Sequence, residues 1–274
     1  MAMTITVSAV SDTDPCPRVD INVSGVSGAD SITVERHVGD TLTNVRGAKN
    51  ETVSTGFLVT DYEIPFTTNA SYRATSYSGA NVVETVESSV VSVNSPTPTR
   101  WDTIYLQDPL KPESVISVMV EQSSLASWTL KRDLDLLNVR ASSLPIASGG
   151  VLSGRTDVPV TLICESDSHR DSLLAFFAEA TVFLVRTIDP LPMPRGGYFS
   201  VEQIGVAPEL GDLSRDPSGR WSYLAMSLQE VRAPSADVVV PVFTWRDVVD
   251  NYTSWADLIA TKATWADVIR DPRP

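Results

Sequence analysis

The sequence contains two histidines, and one of them, His169, lies among residue types that could carry out nucleophilic catalysis. The stretch SDSHRDS, residues 166–172, offers hydroxyls, an imidazole and carboxylates, which are the components of a serine hydrolase triad. Triad members normally come together from distant segments, so crowding in one segment is weak support for catalysis. The same residues are typical of the polar first turn of a helix, and we favour that interpretation.

Metal and phosphate chemistry also find little support in the residue spacings. The cysteines and histidines do not form a recognisable zinc shell, since they lie far apart and at unrelated spacings: Cys16, Cys164, His37 and His169. The acidic stretches at 12–14 and 211–219 lack the spacing of a calcium loop. The glycine-rich stretches ASGG and RGGY precede strands, so we interpret them as hairpin turns. The sequence therefore predicts no metal, no other cofactor and no enzyme.

The net charge of the chain argues against two classes of partner. The 274 residues include 34 acidic and 21 basic side chains, giving a net charge of -13 and an isoelectric point near 4.5. Such a surface repels phosphate backbones and anionic lipid, so neither nucleic acid nor membrane is expected as a partner. The two distant cysteines and the absence of signal-peptide features lead us to expect folding in a reducing cytoplasm.

The elements that would position any site are mostly strands. Residues 3–93 alternate Val, Ile, Thr and Tyr with polar residues, and Gly, Asn and Asp turns separate the runs at short spacing. This pattern predicts a fibronectin- or immunoglobulin-like β-sandwich over residues 1–94. The proline-rich stretch NSPTPT then predicts a stiff linker at 95–100.

A second unit is expected over residues 101–240. It contains strands on both sides of a single helix, predicted at 168–180, with Ser168 and Asp171 as its capping box. Strands, one helix and strands again predict a small β-barrel or sandwich that carries the helix on its side.

The final stretch, 241–274, repeats one hexapeptide three times at intervals of ten residues. Each copy has Ser or Thr, then Trp, any residue, Asp and two aliphatics. The hydroxyl can cap a helix and Asp suits its first turn, so we expect separate short helices. Ten residues rotate a continuous helix by about 80° from one Trp to the next, which would scatter the three copies around one axis. We interpret the repeated Trp and Asp residues as candidate partner-binding residues: Trp245, Asp247, Trp255, Asp257, Trp265 and Asp267.

Short helices are marginal in water unless they dock on something. Two alternatives stay open for this segment. It packs back on the barrel of its own chain, or it carries aromatic anchors for an adjacent subunit or another protein.

Six segments, taken in order, resemble minor tail proteins and distal tail proteins of long-tailed phages of actinobacteria. The first two resemble their N-terminal sandwich and the rest their barrel: SITVERHVGDTLTNVRGA, TDYEIPFTTNASYRATS, VLSGRTDVPVTL, SLLAFFAEATVFLVR, GGYFSVEQIGV and WSYLAMSLQEVRAP. The tandem Ser/Thr-Trp-x-Asp ending is similar to the C-termini of the same proteins. The resemblance implies a barrel related to the tail-tube fold, and it supplies no catalytic residues to carry over.

The function that the resemblance implies is a structural virion protein of the tail tip. We expect a distal-tail-like ring or connector, a hexamer in preference to a trimer, that joins the tail tube to the tape measure and the tip or hub proteins. Such a protein would be assembled in the host cytoplasm and reside in the virion. The alternative is a receptor-binding module for cell-surface glycan, and a hydrolase supported only by dispersed acids ranks third.

Overall fold

The computed structural model describes residues 2–11, 16–95, 102–125, 129–137, 146–187, 191, 196–208, 221–235, 248–249, 251–262 and 268. Within these residues the chain is mainly β, as the alternating pattern predicted. A β-sandwich is followed by a closed six-stranded barrel, a separate hairpin and a short helix near the end of the sequence.

The sandwich consists of two antiparallel sheets. One has the order β1-β2-β6: Thr4–Val10, Arg18–Ser24 and Gly56–Asp61. The other has the order β4-β3-β7-β8, with the short β5 also paired to β3: β3 Ser31–Val38, β4 Thr41–Asn44, β5 Glu51–Thr52, β7 Ser71–Ser78 and β8 Asn81–Glu87. Gly39 and Gly79 begin the two-residue turns β3–β4 and β7–β8 with positive φ, a conformation that glycine adopts at little cost.

The alternation in these strands places one face of each sheet in a shared core. Val19, Ile21 and Val23 of β2 meet Ile32 of β3 and Tyr72 of β7, and all are fully buried. Burying an aliphatic side chain of this size stabilises a fold by about 1.5–3 kcal/mol relative to leaving it exposed. The core therefore explains why period two predicted the sandwich.

The barrel closes in the order β10-β13-β16-β15-β14-β9. Its strands are β9 Thr103–Asp108, β10 Lys111–Val120, β13 Val158–Cys164, β14 Phe183–Arg186, β15 Gly196–Pro208 and β16 Ser222–Glu230. Helix α1, Asp167–Glu179, connects β13 to β14 and buries Leu173 and Phe176 against the barrel core. Phe176, Phe177 and Phe183 meet edge to face, which anchors the helix beside β14.

The predicted helix is present, but its cap was wrong. Ser166, not Ser168, is the N-cap: its backbone is extended and its hydroxyl accepts the amide of His169 at 3.1 Å. Asp167 rather than Asp171 is the acidic residue of the first turn. Both serines precede an acidic or polar turn, so residue type alone did not separate them.

Two further expectations about turns and strands need correction. The stretch ASGG is not a hairpin turn, because it lies inside β12, Ile146–Thr156. Of the stretch RGGY, the residues Gly196, Gly197 and Tyr198 lie inside β15, so it is not a hairpin turn either.

Strands β11, Thr129–Leu137, and β12 form a two-stranded sheet of their own, which the sequence did not predict. Its strand β12 is attached to β16 of the barrel through Arg155. Glu230 accepts the backbone amide of Arg155 at 2.8 Å and pairs with the Arg155 guanidinium at 3.3 Å. Gly154 lies so close that a Cβ there would meet Glu230 at 3.2 Å.

Helix α2, Trp255–Thr261, confirms the expected short helix in the C-terminal repeat. Of the predicted linker 95–100, only Ser95 is described, and the acidic stretches 12–14 and 211–219 lie outside the described residues. Among the described residues, no helix has the length and apolar content needed to cross a membrane.

Candidate functional site

His169, the first candidate for chemistry, has a structural position. It lies in the first turn of α1, as favoured above, and its ring Nε2 is 3.2 Å from the carbonyl oxygen of Ser117 on β10. The imidazole thus links the start of the helix to a barrel strand. Within the described ranges, no group of three or more His, Cys, Asp or Glu side chains could hold a metal ion.

Several buried polar side chains of the described residues lie at the junction between sandwich and barrel, among them Asp61, Glu63, Gln107 and Arg186. The junction also has an apolar part, because Tyr105 of β9 packs edge to face on Phe66 of the sandwich at 5.1 Å and belongs to the sandwich core. At Gly196 of β15 the two units approach so closely that a Cβ would lie 3.2 Å from Pro65. Three clusters of buried polar side chains surround this contact.

The first cluster surrounds Arg186, at the end of β14. Its side chain is 1% exposed and lies over the ring of Phe66, 3.9 Å from the centroid. Nη1 donates to the carbonyl of Pro17 at 3.0 Å and to Oε1 of Gln107 at 3.2 Å, while the Gln107 amide donates to the carbonyl of Tyr62 at 3.0 Å. A barrel arginine is therefore buried by sandwich backbone.

Burial lowers the pKa of Arg186 to about 10, so the guanidinium remains charged at neutral pH. Within the part of the chain that the structure describes, its Nε and Nη2 have no hydrogen-bond partner. Cys16 lies beside it, and burial raises the pKa of this thiol to about 11, although Arg186 and Arg18 partly oppose the rise. Cys16 is therefore a neutral thiol at physiological pH and not an activated nucleophile.

The second cluster surrounds Asp61, at the end of β6. Arg36 of β3 donates to both carboxylate oxygens at 2.9 and 2.7 Å, and the Tyr72 hydroxyl donates at 2.8 Å. The backbone amide of Glu63 adds a further donor at 2.9 Å. Burial, followed by the charge of Asp61, raises the pKa of Tyr72, so this phenol stays a donor.

The third cluster crosses from one unit to the other through Glu63. Arg46, in the loop after β4, donates from Nε to Oε1 of Glu63 at 2.7 Å. The hydroxyl of Tyr198, on β15 of the barrel, donates to Oε2 of the same carboxylate. Burial and then the charge of Glu63 raise the pKa of Tyr198, which keeps the hydroxyl protonated.

Arg46 also contacts the chain that leaves the barrel. Its guanidinium donates from Nη2 to the carbonyl of Pro234 at 3.3 Å and from Nη1 to the carbonyl of Ser235. These contacts lie in a cleft of about 540 Å³ whose walls come from both units, including Arg36, Thr43, Glu63 and Tyr198.

The arrangement at the junction is suited to holding two units in one orientation. The carboxylates of Asp61 and Glu63 each accept hydrogen bonds from an arginine and a tyrosine, so donors of the chain itself already engage them. Removing one partner of such a buried pair typically costs 3–5 kcal/mol, because the other charge is left uncompensated. The sequence did not predict this network, since its members are far apart in the chain.

A larger cleft of about 690 Å³ lies on the barrel wall and is lined by β15 and β16. It includes the carboxylates of Asp157 and Glu202. Asp157 has a positive φ of 55°, which marks it as a turn residue between β12 and β13. Aspartate is common in turns, so the position of Asp157 has a structural explanation.

The residues predicted from the repeat are only partly described. Trp245, Asp247, Trp265 and Asp267 lie outside the described residues. Trp255 is the first residue of α2 and is 60% exposed. Ser254 caps the helix by accepting the amide of Asp257 at 3.3 Å, and the Asp257 carboxylate accepts the amide of Thr253 at 3.4 Å. The capping that the repeat predicted is therefore present in its second copy.

The three copies share a second feature, which lies at the fifth residue of each copy. The fifth residue of each copy is a buried aliphatic, and these residues form a small core with Tyr252: Val248, Leu258 and Val268. The sixth residues, Val249 and Ile259, are each 73% exposed. The ten-residue spacing of the aliphatics was the signal that could have found this core. It is separate from the cores of the sandwich and the barrel.

The fold and its junction define a two-unit β-protein whose C-terminal repeat contains a helix in its second copy. Comparison with models of protein families finds no family that matches the chain, and comparison with curated proteins finds no significant match.

Proposed function

We propose that the protein is a structural component of the tail tip of a long-tailed phage. In this role it forms a distal-tail-like ring or connector between the tail tube and the other tip proteins. The observation that carries the proposal is the junction, where buried charges join the sandwich to the closed barrel and leave the carboxylates of Asp61 and Glu63 engaged. A connector needs such a fixed orientation, and the ordered resemblance to tail proteins supplies the setting.

The hairpin β11–β12 supports assembly with neighbours. It forms a sheet of two strands, and a hairpin of two strands is marginally stable in water without further packing. Neighbouring subunits in a closed ring would cover such a hairpin and its edges. A homo-oligomeric ring, with six copies preferred to three, is the assembly we propose.

The C-terminal repeat supports contact with an adjacent subunit or with the next tail protein. Its described aliphatics fill a core of their own, while Trp255 and Ile259 stay largely exposed. We assign the anchoring role to the six residues named from the sequence, Trp245, Asp247, Trp255, Asp257, Trp265 and Asp267. The acidic surface agrees with this role, because it disfavours nucleic acid and anionic lipid as partners.

The experiment that tests the proposal combines particle analysis with imaging. Mass spectrometry of purified phage should detect the chain, and electron microscopy of the tail should place it as a ring below the tube. Light scattering of the purified chain should give a mass above that of the monomer. A protein that stays monomeric at high concentration and is absent from particles would overturn the proposal. Binding to a glycan array by such a monomer would favour the receptor-binding alternative.

A further inference from the structure

We propose that the chain's own linker at residues 233–235 is latched against the sandwich by Arg46, where it forms one wall of the cleft at the sandwich–barrel junction. The linker follows β16 and leads toward the C-terminal repeat. Its exit from the body would then be set by the sandwich, although it is covalently attached to the barrel. This inference does not rest on the tail-tip proposal, because the cleft and the linker belong to one chain.

The first support is the position of the linker. Ala233, Pro234 and Ser235 themselves line the cleft, together with Arg46 and Tyr198. The backbone amide of Val231 donates to the carbonyl of Tyr198 at 2.9 Å, so the chain enters the cleft directly from a strand pairing.

The second support is the way Arg46 is used. One guanidinium donates to two consecutive carbonyls, those of Pro234 and Ser235, while its Nε is fixed by Glu63. The side chain of Arg46 is 11% exposed, and hydrogen bonds from a charged donor are stronger than neutral ones. Because both acceptors are main-chain carbonyls, this contact does not depend on particular side chains in the linker.

The third support is that the latch is itself positioned from both units. Glu63 accepts from Arg46 on one oxygen and from Tyr198 of the barrel on the other. Proline at 234 has no amide hydrogen and restricts the residue before it to extended backbone, which suits a segment held through its carbonyls. Arg46 is thus a positioning residue that fixes where the repeat leaves the body.

The test measures how often the linker separates from Arg46 and the sandwich. Hydrogen exchange of the amide of Val231, at the start of the linker, and tryptic cleavage after Arg232 are followed in the full chain and in Arg46→Ala and Arg46→Lys variants. Loss of charge-assisted hydrogen bonds should raise the open population about tenfold in Arg46→Ala. Lysine keeps the charge beside Glu63 but cannot span both carbonyls, so Arg46→Lys should give a smaller increase, about threefold.

Arg73→Ala is the matched control, because Arg73 forms an exposed ion pair with Glu87 in the same sandwich. It should leave linker exchange unchanged. Unchanged exchange and cleavage in both Arg46 variants would overturn the proposal. Because Arg46→Ala also leaves the buried Glu63 without its arginine, general destabilisation is assessed in Arg46→Lys, where an equal increase of exchange in the sandwich strands would overturn the proposal. If Arg46→Ala does not fold, Arg46→Lys decides. Protection of the linker that appears only in a dimer would also overturn the proposal, because Arg46 would then hold the linker of a second copy.

Discussion

The sandwich–barrel junction and the C-terminal repeat use the same residue types in opposite ways. At the junction, the charged side chains of Asp61 and Glu63 are buried and accept hydrogen bonds from the phenols of Tyr72 and Tyr198. In the repeat, the aromatic Trp255 and the aliphatic Ile259 are largely exposed, and three aliphatics with one tyrosine form the small core. The junction obtains its stability from contacts within the chain, whereas the described part of the repeat exposes the large apolar side chains of Val249, Trp255 and Ile259.

This difference gives an expected order of effects on the stability of the two-unit body. Changes at the junction should be costly, since they strand a buried charge. Changes in the repeat should alter the stability of the repeat and the assembly of the protein, but not the stability of the two-unit body.

The largest effect is expected from Asp61→Ala. This substitution removes the acceptor of Arg36 and Tyr72 and leaves the Arg36 guanidinium buried without its ion pair. The free energy of unfolding, measured by urea titration, should fall by about 3–5 kcal/mol. Glu87→Ala is the control: it breaks an exposed pair with Arg73 and should cost about 1 kcal/mol or less. Equal small losses in both variants would contradict a stabilising role for the junction.

The next effect depends on pH and on Cys16. The unfolded thiol ionises near pH 9, whereas the folded one, buried beside Arg186, ionises near pH 11. The folded state therefore binds more protons between these values, so stability should fall as pH rises from about 8 to 10. The contribution of Cys16 at pH 10 should be about 1 kcal/mol. Urea titrations at both pH values should show a shallower loss for Cys16→Ala than for the native chain, and parallel losses would contradict the assigned burial.

A smaller and local effect is expected from Ser254→Ala. The variant removes the cap of α2, which is typically worth about 1 kcal/mol to the helix. Amides of 255–261 should exchange about five- to tenfold faster, while the melting temperature of the body should not change. Thr261→Ala removes a hydroxyl from the other end of the same helix and should have less effect. A lower melting temperature of the body in Ser254→Ala would show that the repeat stabilises it.

The smallest effect on the body is expected from deletion of residues 241–274, which leaves the linker and the latch in place. The small core of Val248, Leu258 and Val268 is separate from the other cores, so the unfolding free energy of the body should change by less than about 0.5 kcal/mol. Assembly should nevertheless be impaired, as measured by light scattering and by recovery of infectious tails. Normal tails from the truncated chain would show that the repeat is dispensable.

The sequence predicted those parts of the fold that depend on local pattern. Period two located strands such as Arg18–Ser24 and Val158–Cys164, and helical spacing located α1. Strand β6 was not singled out because it has only six residues, Gly56–Asp61. The hairpin β11–β12 was not predicted because β12 contains glycines, which are typical of turns.

The candidate sites were predictable to different degrees. The cap at Ser254 follows from two residues three positions apart, and it was predicted. The junction depends on pairs such as Arg46 with Glu63 and Glu63 with Tyr198, whose partners approach only after both units have folded. Arg186 offered one local signal, a charge directly after the apolar run Phe183–Val185, which is an unusual end for a buried strand.

Arg186 also has a mechanical consequence. Apolar contacts such as Phe66 on Tyr105 resist separation but permit sliding, because dispersion has little directional preference. The guanidinium donates in fixed directions to the carbonyl of Pro17 and to Gln107, so rotation of the barrel against the sandwich would break these bonds and leave a charge buried without them. The joint is therefore stiff in torsion, and a twist applied to one unit is transmitted to the other.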